Sequence, residues 1–311
     1  MQAFLRSLRW CLAGLTCVLA PAWASTVCVV SSSKVAAFQE ASDVLTQELT
    51  RNGLARQEVQ VVLGLESAEG GACLQDARIV VSLGTDALRQ VLARSPHPAV
   101  IAGLIPRSGY DQVLTEVGKK TAANVTALYL DQPLSRQLDL LRLALPKGRR
   151  VGVVWGPESV SLQGALSAAL QQRGMDLVEG SVNDGSPLIH ALHAALQDTD
   201  VLLAMADGAV YNSATVSNIL LTSYRARTPV VAFSPAYVKA GALMAVHTTP
   251  GQAGLQLAGM AAHFLQAGAL GASQYPGNFT VSTNDYVARS LGLSLDAKTL
   301  TERLYKLEKR P

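Results

Sequence analysis

The sequence has few aromatic residues, few charged residues and no long basic run. Phe, Trp and Tyr make up 5% of the 311 residues, Asp, Glu, Lys and Arg make up 16%, and the formal net charge is +3. Proteins that bind nucleic acids neutralise phosphates with clustered Lys and Arg and stack bases on aromatic rings. The composition therefore argues against a nucleic-acid partner.

The common short motifs of enzymes are also missing. No Gly-x-Gly-x-x-Gly follows an apolar run, and there is neither a phosphate-binding Gly-Lys-Ser/Thr loop nor a Gly-x-Ser-x-Gly. Ser31 and Lys34 form a Ser-x-x-Lys, but the companion motifs of that enzyme class are absent, and a polar loop that opens a helix accounts for it. We therefore expect a protein that is not an enzyme and that uses no cofactor.

The histidines do not form a metal-binding pattern. Of the five, only His190 and His193 lie close together, at helical spacing, and neither an acidic residue nor a cysteine joins them in a ligand motif. We expect both side chains on the polar side of a helix, and we predict no metal site.

The first 24 residues differ from the rest of the chain. Arg6 and Arg9 form a basic start, residues 10–20 are an apolar run, and Pro21 precedes an Ala-Trp-Ala that ends at Ala24. This layout is typical of a secretory signal peptide cleaved after Ala24. The alternative is a membrane anchor, but the apolar run is shorter than the ~20 residues that a spanning helix needs. We therefore expect an exported, periplasmic protein.

Removal of this segment leaves two of the four cysteines, Cys28 and Cys73. Neither Cys17 nor Cys28 has the small-residue setting of a lipoprotein cysteine, so a lipid anchor is not expected. Export brings the chain into an oxidising compartment, where a Cys28–Cys73 disulfide can form. Two buried free thiols are equally compatible with the sequence, and both alternatives stay open at this point.

Beyond residue 25, short β-rich runs alternate with amphipathic helical patterns, and the alternation starts again near residue 150. Such alternation predicts parallel sheets with helices on both faces. We therefore expect an α/β fold of two Rossmann-like lobes with a hinge between them. We assign residues 25–125 to lobe 1 and residues 126–250 to lobe 2. No later segment has 18 unbroken apolar residues, so we expect no transmembrane segment in the mature chain.

Ligands of such sheets bind outside the carboxyl ends of the strands, so the loops there are the candidate site. Ser32, Thr85 and Ser234 offer hydroxyl groups beside helix N-termini, where free N–H groups and the helix dipole favour an anion such as a carboxylate. Asp207 offers the opposite charge to a ligand ammonium group. It serves equally well as an N-cap of the following helix.

Three further residues are candidates for ligand contact in the second half. Tyr211 and Asn212 follow the Asp207 strand end, and an ordinary first helical turn is the alternative interpretation for both. Trp155 ends the strand that opens the second lobe. It either stacks on a ligand or belongs to the core between the lobes, and the core is slightly favoured.

Several segments between about 128 and 293 resemble a family of ABC-transporter substrate-binding proteins that includes the tryptophan/tyrosine-binding type. They are Arg-Arg-Val-Gly-Val-Val-Trp at 149–155, Asp-Val-Leu-Leu at 200–203, Asp-Gly-Ala-Val-Tyr-Asn at 207–212, Thr-Pro-Val-Val-Ala-Phe-Ser at 228–234, Tyr-Val-Lys-Ala-Gly-Ala-Leu at 237–243, a glycine-spaced helix at 251–259, and Asn-x-x-x-Ala-x-x-Leu-Gly at 284–292.

The resemblance implies the type I periplasmic-binding-protein architecture and a non-catalytic role. In that architecture the chain crosses between the lobes three times, which implies that residues at about 250–280 return to lobe 1 and residues at about 281–311 belong to lobe 2. Such a protein captures a small molecule, here an amino acid or a related compound, in the cleft between the lobes. It then delivers this ligand, as a monomer, to an ABC permease in the inner membrane. The alternative is a periplasmic interaction or sensory protein that uses the same fold without transport.

The first half departs from this family at the loops that help to recognise the ligand. Ser-Ser-Ser-Lys at 31–34 replaces a Gln or His-Pro context, and Gly-Leu-Ile-Pro-Arg at 103–107 replaces a Thr/Ser-Asp-Pro element. Val-Thr-Ala-Leu at 125–128 replaces a Thr-Gly element. The resemblance therefore implies the fold more directly than the identity of the ligand.

Overall fold

The computed structural model describes residues 26–118, 124–182 and 187–308. The predicted signal peptide, residues 1–24, lies outside these ranges. The described residues form two β-sheets flanked by helices, and the predicted α/β architecture is confirmed.

The first sheet contains five parallel strands in the spatial order β2-β1-β3-β4-β5. The second sheet contains six strands in the order β11-β10-β9-β8-β6-β7, and all its pairs are parallel except β10 with β11. The strands are β1 (Val27–Ser31), β2 (Val59–Leu63), β3 (Ile79–Leu83), β4 (Ala99–Ile105), β5 (Val125–Tyr129), β6 (Arg150–Trp155), β7 (Asp176–Ser181), β8 (Val201–Leu203), β9 (Val230–Ala232), β10 (Met244–His247) and β11 (Thr280–Thr283).

Helices connect the strands and cover both faces of each sheet. They are α1 (Ala36–Arg51), α2 (Ala68–Asp76), α3 (Thr85–Leu92), α4 (Arg107–Val117), α5 (Leu134–Ala144), α6 (Gln163–Gln171), α7 (Leu188–Leu196), α8 (Val216–Arg225), α9 (Pro235–Ala240), α10 (Pro250–Ala267), α11 (Asp285–Ser290) and α12 (Ala297–Glu308), with short 3-10 turns at Arg56–Glu58 and Val160–Leu162. In the part of the chain that the structure describes, none of these helices has the length and apolar character needed to cross a membrane.

The inner strands of each sheet are apolar on both sides because each sheet separates two hydrophobic clusters, whereas the edge strands β2 and β7 are partly exposed. In β1, Val27 and Val29 pack with α1 and α10, whereas Cys28 and Val30 pack with α2, α3 and α4. Successive side chains of a strand point to opposite faces, so a strand covered on both faces reads as an unbroken apolar run. This is why the runs without polar alternation predicted buried parallel strands correctly.

Strand β5 lies in the first sheet, although the sequence analysis placed residues 126–129 in the second lobe. Val125 pairs with Val100 of β4, and the segment completes the edge of the first sheet. This strand follows α4 in the chain and pairs parallel with β4. The expected division after residue 125 therefore falls within β5, and the chain leaves the first sheet after Tyr129.

Within the described ranges, the chain passes between the two sheets three times. Residues 130–133 lead from β5 to α5, whose Leu138 and Leu141 pack under the second sheet. Residues 248–249 lead back from β10 to α10, whose Leu257 packs under the first sheet. Residues 276–279 then lead to β11 in the second sheet.

A buried hydrogen-bond network joins these three crossover segments. The Arg136 guanidinium donates from Nη1 to Gln132 Oε1 (2.6 Å) and to the carbonyl oxygen of Pro276 (2.8 Å). Gln132 Nε2 donates to Thr248 Oγ1 (2.9 Å), which donates to the carbonyl oxygen of Asn278 (2.8 Å). We call Arg136, Gln132 and Thr248 the crossover network. All three side chains are buried.

The charge of Arg136 is balanced by the last described residue of α12. Nε and Nη2 donate to the two carboxylate oxygens of Glu308, at 2.5 Å and 2.9 Å. The guanidinium carbon also lies 4.0 Å from the ring centre of Phe279. A buried charge needs this kind of complete pairing, because an unpaired guanidinium inside a protein costs several kcal/mol.

Cys28 and Cys73 form a disulfide in the structure. It joins β1 to α2, with a Cα–Cα distance of 5.6 Å, and both residues are fully buried. The sequence left a disulfide and two free thiols equally open, because distant residues meet here only through the packing of α2 on the sheet.

We expect the Cys28→Ala/Cys73→Ala double variant to lose about 4 kcal/mol of unfolding free energy relative to the oxidised protein. The bond closes a loop with a sequence separation of 45, and the lost cross-link restores that conformational entropy to the unfolded chain. Urea unfolding with and without reductant measures the effect. Reductant should destabilise the wild type and leave the double variant unchanged; equal midpoints for the oxidised wild type and the variant would contradict the prediction.

Candidate ligand-binding site

The predicted polar site residues lie at the carboxyl ends of strands in both sheets. Ser32 follows β1 and Thr85 follows β3, whereas Asp207 and Ser234 follow β8 and β9. Each group is built from the loops of its own sheet.

The loops after β1 and β3 meet around Gly84. Ser32 Oγ donates a hydrogen bond to the carbonyl oxygen of Leu83 (3.4 Å). Gly84 has a φ of +91°, and a Cβ there would lie 2.8 Å from the Phe38 ring and 3.0 Å from Ser32 Oγ. Glycine is therefore required, and its absence of a side chain lets Ser32 and Phe38 approach the start of α3. Thr85 is the first residue of this helix and is partly exposed.

The end of β4 is irregular and directs the chain into α4. The pairing with β5 shifts register between Ala102 and Ile105, and Leu104 has a φ of +50°. A positive φ is uncommon for a residue of this size, and such irregularities at strand ends often re-aim the side chains that follow. Arg107, the first residue of α4, comes two positions after the strand.

Arg107 is surrounded by tyrosines and by one acidic residue of the first crossover. Its Nη1 donates to the hydroxyl oxygen of Tyr275 (3.0 Å), and its guanidinium carbon lies 6.0 Å from the Tyr129 ring centre. Its backbone N–H donates to Asp131 Oδ2 (2.6 Å). Burial raises the pKa of Asp131, and the hydrogen bond from Arg107 opposes that shift. The sequence analysis did not identify Arg107 as a site residue.

Asp207 is committed to the chain's own backbone. Its Oδ2 accepts from the N–H groups of Glu158 (3.0 Å) and Ser159 (2.9 Å) and from Ser159 Oγ (2.8 Å), and its Oδ1 accepts from Ala209 N (3.0 Å). The residue is 3% exposed. The carboxylate therefore joins the loop after β6 to the loop after β8. The structure places it neither as an N-cap of α8 nor as an exposed partner for an ammonium group.

Asn212 also stabilises the loop in which it lies. Its Oδ1 accepts from the N–H groups of Ala214 (3.0 Å) and Thr215 (3.2 Å), and its Nδ2 donates to the carbonyl oxygen of Gly208 (3.0 Å). These contacts lead the chain into α8. Both polar atoms of the Asn212 side chain are therefore engaged by their own loop, which is a turn ahead of α8 and not the first helical turn that the sequence analysis gave as the alternative.

Three aromatic rings cluster at the ends of β8 and β9. Tyr211 packs edge-on against Phe233 and Tyr237, with ring centres 6.0 Å and 6.2 Å away, and Tyr237 donates from its hydroxyl to the carbonyl oxygen of Tyr211 (3.0 Å). We call these three residues the aromatic cluster. Of these three residues, the sequence analysis named only Tyr211 as a candidate for ligand contact. Phe233 and Tyr237 could have been found from their four-residue spacing across the end of a strand.

The Tyr211 hydroxyl is buried and has no hydrogen-bond partner among the described residues. Burial raises its pKa, with smaller contributions from Tyr237 and Asp207, so the phenol is neutral at physiological pH. Ser234 lies between Phe233 and the short helix α9 and is partly exposed. Its side chain makes no capping hydrogen bond to that helix.

Trp155 belongs to the core of the second sheet. It is 1% exposed, it packs in the cluster that contains Leu166 and Phe279, and its indole N–H donates to Glu179 Oε1 (2.7 Å). With its polar atom paired and its ring covered, it is placed for packing and not for stacking on a ligand. The sequence analysis slightly favoured a core position, in agreement with this burial, but expected that core between the lobes, whereas Trp155 lies in the core of the second sheet.

Two surface depressions in the described part of the chain are lined by residues other than the predicted site residues. Within residues 26–118, 124–182 and 187–308, no group of His, Cys, Asp and Glu is arranged to hold a metal ion, and His190 and His193 are exposed on α7. Depressions of about 620 Å³ between α7 and α8, and about 300 Å³ beside α10, are lined by other side chains.

Comparison with protein families matches residues 73–293, more than two thirds of the chain, to the description "ABC transporter substrate binding protein". Comparison with curated proteins finds no match.

Solved structures share the fold at low sequence identity. A conserved domain protein from Vibrio cholerae is 21% identical with a TM-score of 0.60, covering 89% of this chain and 97% of its own. The ABC domain from Streptococcus pneumoniae in complex with L-Trp is 15% identical with a TM-score of 0.60, over 89% and 98%. A substrate-binding protein with adhesive properties from Clostridium difficile, in its ligand-free open structure, is 14% identical with a TM-score of 0.67, over 88% and 96%. At these identities the likeness shows the fold alone, which is that of type I periplasmic binding proteins.

We expect Asp207→Ala to lower the free energy of unfolding by about 3 kcal/mol. The substitution leaves three N–H groups and one hydroxyl of the two strand-end loops without their charged acceptor. Urea unfolding measures this loss. Glu158→Ala is the matched control, because it removes an exposed carboxylate from the same loop; a similar small loss in both variants would contradict a structural role for Asp207.

We expect His247 to lower the free energy of unfolding as the pH falls below about 7. Its imidazole contacts Ser282 Oγ (2.9 Å), and burial lowers its pKa below the ordinary 6.5. The unfolded chain then binds a proton more readily than the folded chain, so stability is full above about pH 7 and decreases as pH falls through 6.5. Unfolding between pH 7.5 and 5.5 should show a smaller loss for His247→Gln than for the wild type. Equal losses would contradict the prediction.

Proposed function

Because the chain belongs to the family of ABC transporter substrate binding proteins, we propose that it captures a small solute between two lobes and delivers it to a permease of the inner membrane. The two sheets with their helices are the lobes, and residues 130–133, 248–249 and 276–279 are the hinge. The protein acts in the periplasm as a monomer, after removal of the predicted signal peptide. The buried Cys28–Cys73 disulfide suits that oxidising compartment.

The observation that carries this proposal is the placement of side chains at the carboxyl edges of both sheets. The first sheet presents Ser32, Thr85 and Arg107, and the second presents the aromatic cluster and Ser234. Ligands of open parallel sheets bind at these edges. A solute that contacts both edges favours a closed arrangement of the lobes, because only that arrangement lets it make both sets of contacts.

The aromatic cluster supports a ligand with an apolar or aromatic part. Phe233 and Tyr237 are partly exposed, and their rings lie 4.8 Å apart beside the free hydroxyl of Ser234. A related structure is in complex with L-Trp. We therefore propose an amino acid or a related compound as the ligand. Asp207 does not bind its ammonium group, because both carboxylate oxygens of Asp207 accept hydrogen bonds from the protein itself.

We expect the protein isolated from the periplasm to be stabilised by one chemical class of solute. At 100 times its dissociation constant, a ligand adds about 2.7 kcal/mol, which raises the unfolding temperature by a few degrees for a chain of this size. A thermal-shift panel of amino acids, organic acids, sugars and nucleosides tests this. Small-angle scattering should show a smaller radius of gyration with the solute that binds.

The double variant Phe233→Ala/Ser234→Ala should weaken binding of that solute at least ~10-fold, since it removes an aromatic contact and a hydroxyl group. Tyr224→Ala is the control, because Tyr224 is 53% exposed on α8 and lies outside the strand-end loops. A well-folded wild type that no solute stabilises would contradict solute capture. That outcome would favour the alternative of a periplasmic interaction or sensory protein.

A further inference from the structure

Arg107 lies where the first sheet presents its ligand-binding edge. It follows β4 by two residues and begins α4, a helix of 11 residues. Its side chain is 49% exposed, so the guanidinium reaches the surface of that edge. The N-terminus of α4 adds positive potential at the same place, because the first N–H groups of a helix point outward there.

The guanidinium is held by partners that leave its charge available. Tyr275 accepts a hydrogen bond from Nη1 (3.0 Å) and so keeps its own O–H to donate. The Tyr129 ring lies 5.3 Å from the Tyr275 ring and 6.0 Å from the guanidinium carbon. These contacts order a long side chain without neutralising it.

Two carboxylates lie nearby, and neither closes this site. Asp111 approaches Nε at 3.6 Å, one turn along α4, with its side chain 58% exposed, and such an exposed pair contributes little. Asp131 accepts from the backbone N–H of Arg107 (2.6 Å) instead of from its side chain. An anionic ligand therefore competes only with a weak surface contact.

The geometry points to a carboxylate-binding site formed by the Arg107 guanidinium and the Tyr275 hydroxyl, so that the captured solute is an organic acid bound through its carboxylate. The planar guanidinium donates two parallel hydrogen bonds to a planar carboxylate, and the tyrosine O–H supplies a third donor. This assignment rests on the proposed solute capture and specifies its ligand. The sequence analysis expected helix N-terminal amides to bind the anionic group of the ligand. In this assignment a side-chain cation, the Arg107 guanidinium, binds it instead.

The position of this site also links it to the hinge. Tyr275 immediately precedes the third crossover segment, and Asp131 lies in the first. A carboxylate held between Arg107 and Tyr275 therefore contacts one residue beside the hinge as well as the first sheet.

The test uses the protein isolated from the periplasm after expression of the full chain, and calorimetry with matched acid and amide pairs. The pairs are phenylacetate with phenylacetamide, L-tryptophan with L-tryptophanamide, L-leucine with L-leucinamide, and succinate with succinamide. Because arginine also binds phosphate, inorganic phosphate and sulfate form a separate arm. We expect binding of at least one acid, with its amide at least ~10-fold weaker.

Three variants assign that preference to the site. Arg107→Gln should weaken the acid at least ~10-fold and leave the amide unchanged, so that the acid preference disappears. Arg107→Lys should restore part of it, and Tyr275→Phe should weaken the acid while keeping the ring. Arg89→Gln is the control, since Arg89 is equally half-exposed but pairs with Asp86 and Glu116 on the outer side of α3.

The outcomes separate this inference from the proposed function. Equal binding of acids and amides, an unchanged acid preference in Arg107→Gln, or preferential binding of phosphate or sulfate would overturn the carboxylate site and leave solute capture standing. Stabilisation by a neutral sugar or nucleoside alone would also overturn the carboxylate site and support solute capture. A folded wild type that binds no member of either panel counts against both.

Discussion

The buried guanidinium of Arg136 is the interaction on which the arrangement of the two halves depends. It reaches two of the three crossover segments directly, through Gln132 and Pro276, and reaches the third through the hydrogen bond from Gln132 to Thr248. Glu308 balances its charge from the end of α12. Because the charge is buried, all of these partners are needed together, so the network fixes the mutual positions of segments far apart in sequence.

The same principle distinguishes the two charged groups at the strand ends. Asp207 is buried, and its chain provides four donors to its oxygens, so its charge stabilises two loops. Arg107 is half-exposed, and its side chain lies beside two tyrosines and one exposed carboxylate, that of Asp111. A charged group whose hydrogen bonds are all made within the protein cannot bind a ligand strongly. A charged group that is held in place but not neutralised can still bind one.

The sequence predicted the fold well where the information is local. An apolar run such as Val27–Ser31 results from burial on both faces of a strand, and a helical pattern such as that of α10 results from burial on one face. Each pattern can be recognised within a short stretch of sequence. Strand β5 was not predicted, and its residues from 126 onward were assigned to the second lobe, because nothing in them indicates which sheet edge they join. The candidate site residues stand at strand ends, as the alternation of elements indicated, and their contact with a ligand stays a prediction. The roles of Asp207, Asn212 and Trp155 depended on neighbours 24 to 49 residues away or on turns not visible in the pattern.

By itself, the sequence determined the alternating elements, the two-sheet architecture and the loops at which a ligand is expected. It did so because the spacing of apolar residues along the chain shows which side of each element is buried. Only the tertiary structure decided that Cys28 and Cys73 meet, that Asp207 faces its own backbone, and that Tyr275 comes to Arg107 from 168 positions away. Pairing, burial and charge compensation are properties of residues brought together in space. A single sequence lists the partners, but the packing of the sheets and helices determines which of them are in reach.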